Sequence, residues 1–365
     1  MRALVLGAGG ADSEEEAAQG QYETRLLEQS IYKICALLAV GFGDAGAEVI
    51  AENIKKEGDL NPIVPGKKMV AVFGFCDIRR FTDTTEVLQE GVMEFVNTIA
   101  HLVHGAVAAR GGAANKNIGD AFLLVWKLPK GLDERDNVKT LPALSTAAKT
   151  TIINTITDNA LASFVVIQVA VSVSRLLGRY ARRPDLNARM PGFRVQMGFG
   201  LHVGWAIEGA IGSEYKIDAS YLSPNVNLAS RLEAATKQYD CPLLLSRDFV
   251  DCLSPAVRAK VRQVDCVTLL LSQEYDDDWL DNPVVGGSWG LTWSFKEQWD
   301  DAMQLYLSGD WPAARHAFEG CLAARTNAAG QHVNDGPSAT LLDVMAGHDF
   351  RAPPGWKGVR ELTEK

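Results

Sequence analysis

The stretch VAVFGFCDIRRFTD, residues 70–83, organises the chain. Val70, Val72, Phe73 and Phe75 read as a short buried strand. It ends on a carboxylate, Asp77, and the turn Ile78-Arg79-Arg80-Phe81-Thr82 leads into a helix. A strand that delivers Asp at its carboxyl end presents oxygen to a hard cation such as Mg²⁺. A second Asp comes from Asn117-Ile118-Gly119-Asp120, a tight turn that Gly119 permits, followed by the apolar strand Ala121 to Trp126. Neighbouring strands that each present one Asp place the two carboxylates side by side. That geometry suits a pair of metal ions clamping a phosphate.

Four segments carry more than that pair: FCDIRRFT (75–82), KNIGDAF (116–122), GFGLHVGWAIEGAIGS (198–213) and NVNLASRLE (225–233). In this order and spacing they resemble the catalytic domain of class III nucleotide cyclases, the adenylyl and guanylyl cyclases, over residues 68–272. The resemblance implies that Asp77 and Asp120 hold two Mg²⁺ (or Mn²⁺) per site, with the Ile78 carbonyl as a third ligand. It implies that Arg231 stabilises charge at the α-phosphate, where a planar donor fork suits phosphate, and that Asn227 orients the ribose. Taken alone, Asn227 and Arg231, one turn apart, read as a solvated helix face; beside NLASRLE in full they read as catalytic.

Base choice, on the same resemblance, rests on Lys116 and on Ser220, seven residues before Asn227, with Asp218 two residues away. A lysine and a hydroxyl suit adenine, and a site built for one base edge penalises the other. The implied activity is conversion of ATP to cyclic AMP and pyrophosphate, with guanylyl cyclase or a weakly active nucleotide-binding regulatory module as alternatives. In the family one subunit gives the metals and its partner the Lys, Asn and Arg. A homodimer with two composite sites is therefore implied. One departure stands out. A Lys in a V-K-G segment often grips the terminal phosphates, yet residues 267–271, VTLLL, contain none. Lys260, Arg258 and Arg262 are the substitutes at hand.

The order strand, helix, two strands, helix, strand indicates an α+β chain with a ferredoxin-like βαββαβ core and additions. A helical segment precedes this core, and a small helical extension follows it. The 365 residues are 47% hydrophobic and 22% charged, with net charge -9. That balance excludes a global basic footprint for nucleic acid. Six cysteines without a CxxC read as reduced thiols of an intracellular protein, and no signal-peptide pattern opens the chain. Residues 1–21 read as a disordered tail. Residues 22–60 read as a helical dimerisation or transducer segment for an upstream sensor, with Leu27, Ile31, Ile34 and Leu38 as a heptad seam. A helix packed on its own domain is the alternative.

Three apart on the helix that follows the Asp77 strand, His101 and His104 lack a nearby third ligand and read as a solvated or core-edge pair. An apolar run at residues 160–174 reads as a buried helix rather than a membrane span. Phe193 to Glu208 reads as a strand pair bending at Gly204, with a loop over residues 209–213. Beyond an acidic and Gly-rich break, residues 291–365 form the helical extension. There Trp299, Met303, Tyr306, Trp311, Ala314 and Phe318 resemble one tetratricopeptide-type hairpin, able to pack on the catalytic domain or on a partner.

Overall fold

The computed structural model describes residues 24–37, 41, 46, 65–129, 145–213, 216–264, 267–270, 274–275, 277–278, 292–326 and 331–358. The expected tail and most of the second N-terminal helix lie outside these residues. There are two units, Met1–Pro65 with Gly209–Ser220, and Gly66–Glu208 with Tyr221–Lys365. In the first unit residues 24–37 form helix α1. Its seam residues Leu27, Ile31 and Ile34 are 64%, 60% and 56% exposed, and Leu38 falls outside the described residues.

The second unit begins with β1 (Lys67–Ile78), α2 (Phe81–Leu88), α3 (Val92–Ala108), β2 (Ala113–Ile118) and β3 (Ala121–Lys127). It continues with α4 (Thr146–Val173), the short α5 (Leu177–Ala181) and α6 (Pro184–Arg189), and β4 (Met197–Ser213). β1 pairs antiparallel with both β3 and β4, and β2 flanks β3. The resulting order β2-β3-β1-β4 is the ferredoxin-like arrangement expected from the sequence. The sheet then grows through β6 (Leu243–Leu245), β8 (Val267–Leu270) and β7 (Val261–Val264), while β5 (Lys216–Leu222) pairs with β4.

Strand alternation gives the sheet two different faces. On one, Val72, Cys76, Phe122, Leu124, Phe199 and Leu201 are buried with Phe95 and Val103 of α3 and Phe164 of α4. Each such side chain contributes about 1.5–3 kcal/mol on burial. Gly74 keeps room for Phe164, whose ring would lie 2.6 Å from a Cβ there. α4 is 28 residues long and apolar enough to cross a membrane by length and composition. Leu161, Phe164, Val165 and Ile167 are buried in the core, which identifies it as a sheet-covering helix.

The other face of β4 is Gly198, Gly200, His202 and Gly204, and it receives α7 (Pro224–Ala235). Ser223 caps α7 and Pro224 opens its first turn. A Cβ at Gly200 would lie 2.5 Å from the Glu233 amide nitrogen, and one at Gly204 2.7 Å from Asn225 Nδ2. The expected bend at Gly204 and loop over residues 209–213 are therefore absent. β4 runs unbroken from Met197 to Ser213, in register with β1 from Glu208 to Met197. Its glycines admit the helix closely instead of turning the chain.

After β6 come the short α8 (Arg247–Val250) and α9 (Pro255–Arg258), then β7 and β8, and a two-residue hairpin of β9 (Glu274–Tyr275) and β10 (Asp277–Asp278). The C-terminal part holds α10 (Trp293–Ser308), α11 (Trp311–Ala324) and α12 (Gly336–Ala346). Gly309, at φ 91°, ends α10, and Asp310 caps α11. Trp299, Met303, Tyr306, Trp311, Ala314 and Phe318 share one core with Leu232, Ala235 and Tyr239, so the helices pack against α7 and the sheet.

Candidate active site

Asp77 is the penultimate residue of β1, opposite Ala121 on one side and Gly198 on the other. Asp120 follows Gly119 in the two-residue turn between β2 and β3, where Gly119 takes φ 65°. The Ile78 amide donates to the Asp120 carbonyl at 3.1 Å, which binds the turn to the end of β1. The two carboxyl groups lie within hydrogen-bonding reach of each other. Burial, then the charges of Glu233 and Asp120, push the Asp77 carboxyl up to about 7, against the opposing pull of Lys237. Two acids crowded in this way fit a divalent cation, whose charge would offset the burial and the repulsion that raise Asp77.

Three charged side chains around Asp77 were given no role from the sequence. Lys237 Nζ lies 3.6 Å from Asp77 Oδ2. Arg79 Nη1 lies 3.9 Å from the same oxygen and 3.1 Å from Glu233 Oε1, and its Nη2 donates to Thr236 Oγ1. Glu233 is raised by burial and lowered by Arg79. Their signal was present, since Arg79 lies inside CDIRRFT and Glu233 ends NLASRLE. What was missing was the knowledge that Gly198 lets both groups lie across β4.

The other expected residues are distributed. Lys116 is half-buried on β2 opposite Leu123, which puts it on the same sheet face as Asp77. It follows a register shift at Asn115, whose buried amide has no hydrogen-bond partner among the described residues. His104 reaches this hairpin by a 3.1 Å contact with Asn117 Oδ1. Asn227 and Arg231 lie on the exposed side of α7, along with Leu228 and Ala234, while Ala229 and Glu233 are buried. Ser220 lies in β5, half-buried, in the other unit.

Of the substitutes for the absent lysine, Arg262 is excluded. It is 1% exposed, pairs with Asp335 at 3.0 Å, and stacks 4.1 Å from the Trp299 ring. Lys260 is buried as well, and Arg258 is exposed but pairs with Asp251.

A family model described as the adenylate and guanylate cyclase catalytic domain matches residues 64–269. The chain belongs to this family. The cyclase domain is 27% identical over 193 residues to an adenylate cyclase of Anabaena cylindrica. It is 28% identical over 207 residues to the terminal-differentiation specific adenylate cyclase of Dictyostelium discoideum. These matches take in 52% and 55% of the chain, but only 32% and 8% of the two relatives.

Among solved structures it is similar to a bacterial light-regulated adenylyl cyclase (TM-score 0.48, 20% identity, 68% of this chain and 63% of that one). It is also similar to the guanylate cyclase domain of RhGC from Catenaria anguillulae in complex with GTP (TM-score 0.36, 16% identity, 52% and 86%). A separate model, of an all-helical domain of RasGEFs, matches residues 7–55, most of which lie outside the described residues.

Proposed function

We propose that this nucleotide cyclase domain converts ATP to cyclic AMP and pyrophosphate in a homodimer with two composite sites. One observation carries the reading. The carboxylate pair Asp77 and Asp120 is assembled within one chain, whereas Asn227 and Arg231 stand on the outward side of α7. A second copy of the same chain can bring the outward face of its α7 to the carboxylate end of the sheet, and a two-fold axis makes the two sites equivalent.

In the reaction a bond forms between the ribose 3′ oxygen and the α-phosphorus, the 3′ hydroxyl gives up its proton to water, and the bond from that phosphorus to the bridging oxygen of pyrophosphate breaks. Asp77, Asp120 and the Ile78 carbonyl would hold two Mg²⁺ or Mn²⁺, which supply charge neutralisation at the phosphates and polarise the 3′ hydroxyl when bound. Asn227 orients the ribose so that its oxygen lies in line with the leaving group. Arg231 offers a fork of donors to the charge that accumulates on the α-phosphate oxygens. Lys116 and Ser220 select adenine. Cys76, Cys241 and Cys321 are buried free thiols, which suits action inside the cell.

Purified protein supplied with Mg²⁺ or Mn²⁺ is expected to form cyclic AMP from ATP and far less cyclic GMP from GTP. Asp77→Ala and Asp120→Ala should each abolish product while leaving the protein folded. Retained activity in either would remove the metal assignment, and a preference for GTP would overturn the base assignment. The second reading, a nucleotide-binding module of low turnover, is favoured by one feature: no lysine in residues 267–271, with Arg262 locked to Asp335. ATP binding by calorimetry without product would decide for it.

A further inference from the structure

Arg79 and Glu233 form a charged pair that the proposed chemistry leaves without a task. Their side chains are only 16% and 10% exposed. A buried pair gains little stability, because desolvation offsets the Coulomb attraction; what it provides is fixed geometry. The guanidinium lies across β4 at Gly198, where a Cβ would run into both Arg79 Nη2 and Glu233 Oε1. Gly198 itself pairs with Asp77. From that position Arg79 meets Glu233 within α7 and Thr236 at its C-terminal cap, and stands 3.9 Å from Asp77 Oδ2. α7 therefore has two working sides. Its inward side holds the metal end of its own β1 through Arg79, and its outward side carries Asn227 and Arg231.

We propose that Arg79 is a positioning residue that locks the Asp77 end of β1 to α7, so that the two composite sites of the dimer are set by a common helix. Displacing Arg79 then disturbs the carboxylate end of one site and the Asn227–Arg231 side of the other. This rests on the composite-site reading above. A lysine at 79 keeps the charge near Asp77 but loses the fork that reaches Glu233 and Thr236 together.

The experiment uses mixed dimers of full-length chains, one bearing Asp77→Ala and the other Arg231→Ala, in which a single site survives. Arg79→Lys is added either to the chain that supplies Asp77 to that site or to the chain that supplies Arg231. The expected result is a fall in kcat of about fivefold or more in both placements, with KM for ATP changed by roughly twofold or less. A fall only when the substitution sits beside the supplied Asp77, or in neither placement, overturns the lock. Thr236→Ala, which removes one anchor without altering charge, should repeat the pattern more weakly, and guards against a variant that merely folds poorly.

Mn²⁺ binding to the nucleotide-free homodimer, read by electron paramagnetic resonance, gives a readout independent of turnover. Arg79→Lys should weaken it by about threefold or more, since a ligand whose support is lost binds less well. Unchanged Mn²⁺ affinity overturns the proposal. If the parent pair of mutants dimerises yet stays inactive, the composite-site reading fails instead, and with it the coupling between sites. The Mn²⁺ titration then still decides whether Arg79 positions Asp77 within its own chain.

Discussion

The two faces of the sheet are built on opposite principles. One is a continuous apolar surface in which Phe122, Leu124, Phe199 and Leu201 interlock with α3 and α4. On the other, β4 is reduced to Gly198, Gly200 and Gly204 around the buried His202, so that a single helix approaches at backbone distance and Glu233 and Lys237 join Arg79 around Asp77. Close packing of side chains provides stability on the first face. On the second the three glycines of β4 provide position, and the charged groups that gather there are held for what they do to Asp77.

The contrast is tested most severely at Phe164, buried over Gly74. Phe164→Ala should lose about 3–5 kcal/mol of stability, as large-to-small core changes do, while Mn²⁺ affinity measured well below the melting temperature stays unchanged. Metal binding lost in proportion to stability would mean that the faces are not separable. Gly200→Ala comes next. Its Cβ meets the α7 backbone, which cannot swing aside, so a cost of about 1–3 kcal/mol is expected. Thermal unfolding gives that cost, and product formation should fall further than the lost stability explains. An alanine tolerated at 200 with full activity would show that α7 does not need the close approach.

The third effect is smaller and depends on pH. With no metal bound, Asp77 sits near 7 when folded and near the ordinary carboxylate value, about 4, when unfolded. The folded state therefore binds more protons between those values, and stability declines as pH rises through that window. Glu233, also raised, adds to the slope. Asp77→Asn should flatten urea-unfolding stability between about pH 5 and about pH 7. A slope that is unchanged in the variant would place its origin elsewhere. The smallest effect concerns Arg80, which takes φ 56° between β1 and α2. Arg80→Gly relieves that left-handed backbone and should raise stability by about 1 kcal/mol or less, since glycine also loses more entropy on folding.

The apolar face was legible from residue order, because alternation along 70–76 and 121–126 and the stripe of α3 impose their own periods. The same reading found Asp77, Asp120 and the β2-β3 turn. It misread β4, because glycine at 204 stands equally for a bend and for close approach, and only the presence of Asn225 above it decides between them. Arg262 was misjudged for a related reason. A cation near the expected phosphate position looks available until Trp299 and Asp335, more than thirty residues further on, are seen to enclose it. Asn227 and Arg231 were legible as a pair one turn apart, but whether they turn toward Asp77 or away from it is a property of how α7 lies on the sheet.

The core that Leu232, Ala235 and Tyr239 share with Trp299, Tyr306 and Phe318 carries a consequence for how such chains diverge. These three positions of the α7 region answer to two masters, the sheet beneath and the helices behind. Drift at 232, 235 or 239 must be matched by compensating change at 299, 306 or 318, so the two sets should covary among chains that keep the C-terminal helices. In a lineage that sheds those helices the same three positions become surface, selection for bulk and apolarity relaxes, and polar residues are expected to accumulate there while Glu233, facing β4, is retained.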